Sequence, residues 1–179
     1  NKYILIKEIC DRVTALILLI ILTPIFILIS IIIYSKMGSP VFFKQKRAGY
    51  RGKVFQIIKF RTMKKNLDIN NQFANDLKRL TNLGIWLRNS SLDEIPSLIN
   101  IIKGEMSFVG PRPFMEEYLS LYSEEQFQRH NVKPGLTGWS QINGRNRISW
   151  EKRFKLDLWY VKKINFFLDL EILFLTFFK

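Results

Sequence analysis

The sequence contains one cysteine, Cys10, and one histidine, His130, in 179 residues. A lone cysteine closes no disulfide within the chain, and one cysteine with one histidine builds no Cys/His zinc cluster. The lack of disulfides fits a reducing compartment, and any divalent metal is left to carboxylates and ligand oxygens, which favours magnesium or manganese. Acidic side chains are scarce too, 15 against 28 basic ones, so the net charge is +13. Repeats and low-complexity tracts are missing. Neither glycine loop matches a Walker A or dinucleotide-binding pattern, which disfavours an ATPase or a Rossmann enzyme. With 47% apolar and 24% charged residues, the chain is no disordered polymer.

Charge is absent altogether from residues 13 to 35, VTALILLIILTPIFILISIIIYS. As a helix this run would reach roughly 35 Å, enough for a hydrocarbon core of roughly 30 Å. A core helix in so small a protein would carry a polar stripe, and a signal peptide would be shorter and end in small residues. The run therefore reads as membrane-inserted. Thr23-Pro24 interrupts it: Pro24 has no N–H for the carbonyl of Ile20, so a kink is expected, with the Thr23 hydroxyl able to cap a freed carbonyl. Lys2, Lys7 and Arg12 precede the run, and Lys36, Lys44, Lys46 and Arg47 follow it. Basic residues on both flanks suit a bent helix that leaves by the face it entered, while a spanning helix puts one flank on the wrong side. Charge alone leaves both topologies open.

Residues 37–179 read as the second unit after a membrane-inserted unit at 1–36. VFFKQK and KVFQIIKFRTM, between Val41 and Met63, flank the loop 48–52 and predict a β-hairpin. Helices are predicted at about 74–88, 93–103, 113–129 with a break, 149–162 and 167–178, after a polar linker at 64–73. The C-terminal FFLDLEILFLTFFK is aromatic enough to lie on the domain or on the bilayer surface. The fold class expected is α+β and mainly helical: a broken N-terminal membrane helix, one β-hairpin, and several short or amphipathic helices.

Three groups carry possible chemistry. Nine basic residues and no acidic ones lie between Lys44 and Lys65. They suit nucleic acid, anionic lipid headgroups after a membrane insert, or an anionic substrate, while a solvated hairpin face explains most of them without function. Lys59 and Arg61 share a strand face with Ile57 and Met63 and are expected to point inward. Second, Asp93-Glu94 opens a helix after Ser90-Ser91. Here Ser91-x-x-Glu94 reads equally as a capping box, which alone accounts for both carboxylates, or as an ionised pair able to act as nucleophile and hold a cation. Third, Gly110-Pro111-Arg112-Pro113 and Pro134-Gly135-Leu136-Thr137-Gly138, running on to Asn143-Gly144-Arg145, form rigid turns whose arginines and glycine N–H groups suit phosphate. His130 reads as a hydrogen-bonding helix-end residue, and Trp139, Trp150 and Trp159 as packing anchors.

The order of the pieces resembles the bacterial sugar transferase family, the monotopic phosphoglycosyl transferases, in their small single-domain form. The matching stretches are the apolar run with Thr23-Pro24, FQIIKFRTM (55–63), LRNSSLDEIPSLINIIKGEMSFVGPRP (87–113), VKPGLTGWSQINGR (132–145), and LDLWYVKK with FFLDLEI (156–172). The resemblance implies transfer of a sugar 1-phosphate from a UDP-sugar to polyprenyl (undecaprenyl) phosphate with release of UMP. It makes Asp93 the nucleophile that carries a phosphosugar intermediate, with Glu94 beside it and Mg2+ held at Asp93 and Glu94. It assigns Lys59, Arg61, Arg88, Arg112 and Arg145 to substrate binding, with Asp157 and Asp169 orienting them. It also implies a re-entrant helix broken at Thr23 and Pro24, placement at the bacterial inner membrane with the catalytic part on the cytoplasmic face, and a tail beyond Lys179. The partners implied are UDP-sugar, polyprenyl phosphate and membrane lipids, and not nucleic acid; the sugar and the oligomeric state stay open. The rival from another class is a non-catalytic, membrane-anchored polybasic module that binds lipid or nucleic acid.

Overall fold

The computed structural model describes residues 2–64, 79–144 and 147–178; most of the linker expected at 64–73, the start of the helix expected at 74–88, and Arg145 lie outside these residues. The apolar run forms two helices, α1 (Lys2–Ile21) and α2 (Thr23–Met37), bent by 64° at the break between them. The sequence causes the bend: Pro24 offers no N–H to the Ile20 carbonyl, and Thr23 Oγ1 donates to the carbonyl before it, Leu19, at 2.8 Å. No single described helix is long and apolar enough to cross a membrane; the pair reaches that length and composition only together.

After Gly38, whose φ of +69° ends α2, comes the expected hairpin, β1 (Phe42–Ala48) and β2 (Val54–Phe60), antiparallel from Phe42↔Phe60 to Ala48↔Val54. Helix α3 (Asn82–Asn89) starts at Thr81, whose hydroxyl accepts from the Gly84 N–H at 2.9 Å. Gly84 lies so close to the hairpin exit that a Cβ there would sit 2.0 Å from the Thr62 carbonyl oxygen. A 3-10 turn, Leu92–Ser97, leads into α4 (Leu98–Lys103), so the helix expected from 93 is tightened over its first turn, around Pro96.

The helical stretch expected at 113–129 with a break is a 3-10 turn (Glu116–Leu121), then, past the break, α5 (Glu124–Phe127) capped by Ser123 with Gln126, and a second 3-10 turn (Gln128–Asn131). Between the pieces Tyr122 is extended, which breaks the helical path. One unforeseen pairing joins β3 (Ser107–Val109) to β4 (Gly135–Thr137) in parallel. Short α6 (Trp139–Ile142), then α7 (Trp150–Lys163) and α8 (Phe166–Phe178), complete the chain.

Two clusters fill the interior. The larger joins Ala15, Ile29 and Ile33 of the bent pair to Phe55, Ile57 and Phe60 of the hairpin and to Leu87, Ile95, Leu98, Ile101 and Met106. The smaller gathers Val109, Val132, Ile142, Tyr160, Leu168 and Ile172 under α7 and α8. Mainly helical with a small hairpin, the architecture is α+β.

Candidate active site

The 3-10 turn at Leu92–Ser97 is fastened to the free edge of β2 by side chains. Ser97 Oγ donates to the Ile58 carbonyl at 2.8 Å, Asn100 Oδ1 accepts from the Ile58 N–H at 3.0 Å, and Asn100 Nδ2 donates to the Gln56 carbonyl at 2.7 Å. Both Ser97 and Asn100 are fully buried, and the backbone groups they satisfy would otherwise be costly orphans. These bonds set Lys59, the next residue of the strand, against the acidic pair.

Lys59 Nζ donates to Glu94 Oε1, and Arg112 Nη2 approaches the same oxygen at 3.5 Å. The capping-box explanation of the pair fails, because Ser91 adopts φ +57° and its side chain caps nothing. Glu94 therefore serves the two cations and not the helix end. Asp93, beside it, is buried, and no described residue donates a hydrogen bond to its carboxylate.

The two acids are pushed apart electrostatically. Burial raises the Asp93 pKa; Lys59 opposes that rise, Glu94 adds to it, and Arg88 and Arg112 oppose it. For Glu94 burial also acts upward, but Lys59 and Arg112, through charge and hydrogen bonds, bring its pKa below the ordinary value. The result is one carboxylate neutralised by its neighbours and one that is more weakly solvated and has no hydrogen-bond donor among the described residues.

The other expected residues divide. Arg88 lies exposed with its Nε on Thr62 Oγ1 at 3.0 Å, within electrostatic reach of Asp93. Arg61 points inward as expected, but its guanidinium donates to the carbonyls of Met37 (2.6 Å), Gly38 (2.5 Å) and Ser39 (3.3 Å), so it closes the end of α2 where substrate contact was expected. Asp157 pairs with Arg129, at 2.7 Å. Asp169 accepts from Tyr3, Lys7 and Tyr160, each at 2.6 Å, which ties α1 to α7 and α8. Among the described residues neither aspartate contacts Lys59, Arg88 or Arg112, because Arg129 and the α1 side chains are nearer partners.

The glycine loops also serve otherwise than expected. Gly110 N–H donates to Thr137 O at 2.9 Å and Gly135 N–H to Pro111 O at 3.1 Å, so these donors are spent between the loops and not offered to phosphate. A Cβ on Gly135 would lie 2.1 Å from the Gly110 nitrogen and one on Gly110 would lie 2.3 Å from the Lys133 carbonyl oxygen, which is why both positions need glycine. His130 is a hydrogen-bonded residue: its Nδ1 lies 2.9 Å from the Gly49 carbonyl, and burial, with Arg129 beside it, lowers its pKa to about 4. The residues missed were Ser97, Asn100 and Arg129. The two polar positions on an otherwise apolar helix face were a readable hint, whereas Arg129 gave no local signal.

No group of three or more His, Cys, Asp or Glu able to hold a metal occurs among the described residues. Asp93 and Glu94 are nevertheless the donor type that Mg2+ takes, since that ion commonly binds one or two protein carboxylates and fills the rest of its shell with other oxygens.

The sequence matches the family model described as bacterial sugar transferase over residues 2–179. It is 53% identical over 96% of its length to the sugar transferase EpsL of Bacillus subtilis (strain 168), covering 85% of that protein. It is 40% identical over 98% of its length to a UDP-glucose:undecaprenyl-phosphate glucose-1-phosphate transferase of Escherichia coli (strain K12), of which it spans only 40%. With the exopolysaccharide production protein ExoY of Rhizobium meliloti (strain 1021) it shares 39% identity over 95% of the chain and 83% of the relative. A match over nearly every residue, with the acidic pair and its cations inside it, makes this chain a member of the bacterial sugar transferase family.

Proposed function

We propose that the chain transfers a sugar 1-phosphate from a UDP-sugar to undecaprenyl phosphate through a covalent intermediate on Asp93. The observation that carries this reading is the unequal pair: Asp93 buried with no hydrogen-bond donor among the described residues, next to Glu94 held by Lys59 and Arg112. A carboxylate oxygen of Asp93 attacks the phosphorus that bears the sugar. The bond from that phosphorus to the bridging oxygen breaks and UMP leaves with the electron pair. An oxygen of undecaprenyl phosphate then attacks the same phosphorus, which releases the Asp93 carboxylate and yields the lipid diphosphosugar. No proton needs to be removed from either nucleophile.

Lys59, Arg88 and Arg112 offset the repulsion between an anionic nucleophile and an anionic diphosphate, which in a poorly solvated site amounts to several kcal/mol. Mg2+ held by Asp93 and Glu94 supplies further charge neutralisation at the diphosphate when bound. Arg145, outside the described residues, is proposed as a further phosphate or nucleotide contact.

Exposed apolar surface supports the same reading. Leu5, Ile9, Val13, Ile17, Ile20 and Ile21 on α1 and Phe167, Phe174 and Phe177 on α8 are exposed apolar side chains, suited to lipid and to a substrate delivered from it. We place the bent pair as a re-entrant hairpin in the inner membrane with the site on the cytoplasmic face.

The test is incubation of the full chain with Mg2+, undecaprenyl phosphate and a panel of UDP-sugars that begins with UDP-glucose, with UMP measured. Release from one member and phosphosugar recovered on Asp93 are expected. A folded chain that releases UMP from none would leave the non-catalytic binding module as the better account.

A further inference from the structure

Among the described residues Arg129 is the basic side chain most completely removed from water, 2% exposed, and its partner Asp157 is 1% exposed. Two of its nitrogens, Nε at 3.2 Å and Nη2 at 2.7 Å, donate to one oxygen, Oδ2, of Asp157. The guanidinium lies over the Phe114 ring, 4.0 Å from its centroid. Burying such a pair gains little stability over apolar side chains of the same volume, so stability alone is a weak reason for it. Asp157 Oδ1 remains buried without a partner among the described residues, a further cost.

A bond that the pair directs outside itself explains the placement. Arg129 Nη2 donates at 2.8 Å to the backbone carbonyl of Arg112, the residue whose own guanidinium approaches Glu94. Arg112 is carried between Pro111 and Pro113, which limit the backbone on either side. The next turn is held from the hairpin, by the Ala48 N–H on the Phe114 carbonyl at 2.9 Å. Held at its backbone by a buried cation, the half-exposed Arg112 side chain is aimed at the acidic pair without needing contact from its surroundings.

We propose that Arg129, fixed by Asp157, is a positioning residue that aims Arg112 at Glu94 and at the diphosphate. The inference rests on the transfer reaction proposed above, with Arg112 acting on the substrate and Arg129 touching only Arg112 and its own neighbours. It predicts non-additivity: Arg129 matters because Arg112 is there.

The test is a double-mutant cycle of Arg129→Lys and Arg112→Ala in the full chain, with kcat/KM read from UMP release and folding read from thermal melting. Arg129→Lys alone is expected to lower kcat/KM by about tenfold to a hundredfold, the range for a misplaced contact. On the Arg112→Ala background the same change is expected to cost less than twofold, and Asp157→Asn is expected to repeat the pattern. Equal losses on both backgrounds, from an active wild type, would overturn the positioning role and leave the reaction standing. A wild type that releases no UMP would overturn the reaction and this role with it. If neither Arg129→Lys nor Asp157→Asn folds, the pair supports the fold and not the loop, and the proposal fails.

Discussion

Asp93 and Glu94 adjoin in the chain, yet their surroundings move their proton affinities in opposite directions. Burial raises Asp93, so the folded protein binds that proton more tightly than the unfolded chain, and the charged residue costs stability that grows as pH climbs from the ordinary carboxylate pKa to the raised one and is constant above it. Asp93→Asn removes that cost with little change of shape. At pH 7 the variant is expected to melt above wild type while UMP release falls by at least about a thousandfold, as for loss of other enzymic nucleophiles; an active or destabilised variant would contradict the role. Glu94 has the opposite sign: its contribution is present above its unfolded pKa and lost as pH falls through the lower folded one. Lys59 is the strongest opposing charge for both acids. Lys59→Met is expected to shift the acid limb of the kcat/KM profile to higher pH and to lower stability by about 1–3 kcal/mol, the range for losing a hydrogen bond to a charged group. Profiles and melts of the two proteins check both effects.

At the scale of elements, the bent pair is held from two directions. Pro24 disfavours a straight α1–α2 by about 3 kcal/mol. In addition, the first turns of α1 are bound to the body through Lys7 to Asp169 at 2.6 Å, Glu8 to Lys133 at 3.0 Å and Asp11 to Ser107 at 2.5 Å. A spanning arrangement would break these bonds as well as remove the bend. With Lys2→Cys in a Cys10→Ser background, a membrane-impermeant thiol reagent is expected to leave intact cells unlabelled. Pro24→Ala should raise labelling, and Pro24→Ala with Asp169→Asn should raise it further; strong labelling without either change would refute the re-entrant placement. The bend, the hairpin and the inward aim of Lys59 were legible because each follows from short-range rules: a missing N–H, alternation, a turn. The β3–β4 pairing was not, since strands of three residues have no period and their partners lie 28 positions apart, as Ser107 and Gly135 do. Nor was the destination of Arg61, whose inward aim was readable but whose carbonyl partners 22 to 24 residues away were not. Asp93-Glu94 was visible as a pair, but only the left-handed backbone of Ser91 decides against a mere cap.

Over the whole molecule, the boundary between the bent helix pair and the rest of the chain is no boundary in packing. Ala15, Ile29 and Ile33 lie in one cluster with Phe55, Phe60 and Ile101, and Leu18, Leu19, Leu22 and Phe26 pack against it. The rings of Phe26 and Phe60 are 5.0 Å apart, and those of Phe42 and Phe60 5.7 Å, so the hairpin that carries Lys59 leans on the helix pair. Each apolar side chain of this size contributes about 1.5–3 kcal/mol when fully buried, and a domain has only about 5–15 kcal/mol in all. Deleting residues 2–37 would remove several such groups, break the contacts of Lys7, Glu8 and Asp11, and leave Phe60 and Ile101 facing water. The site would fail with the core, because Lys59 and the turn bearing Asp93 both rest on it. A chain starting at residue 38 is therefore expected to lack a cooperative melt and to bind a hydrophobic dye. Independent folding of 38–179 with UMP release intact would show that the helix pair is only an anchor.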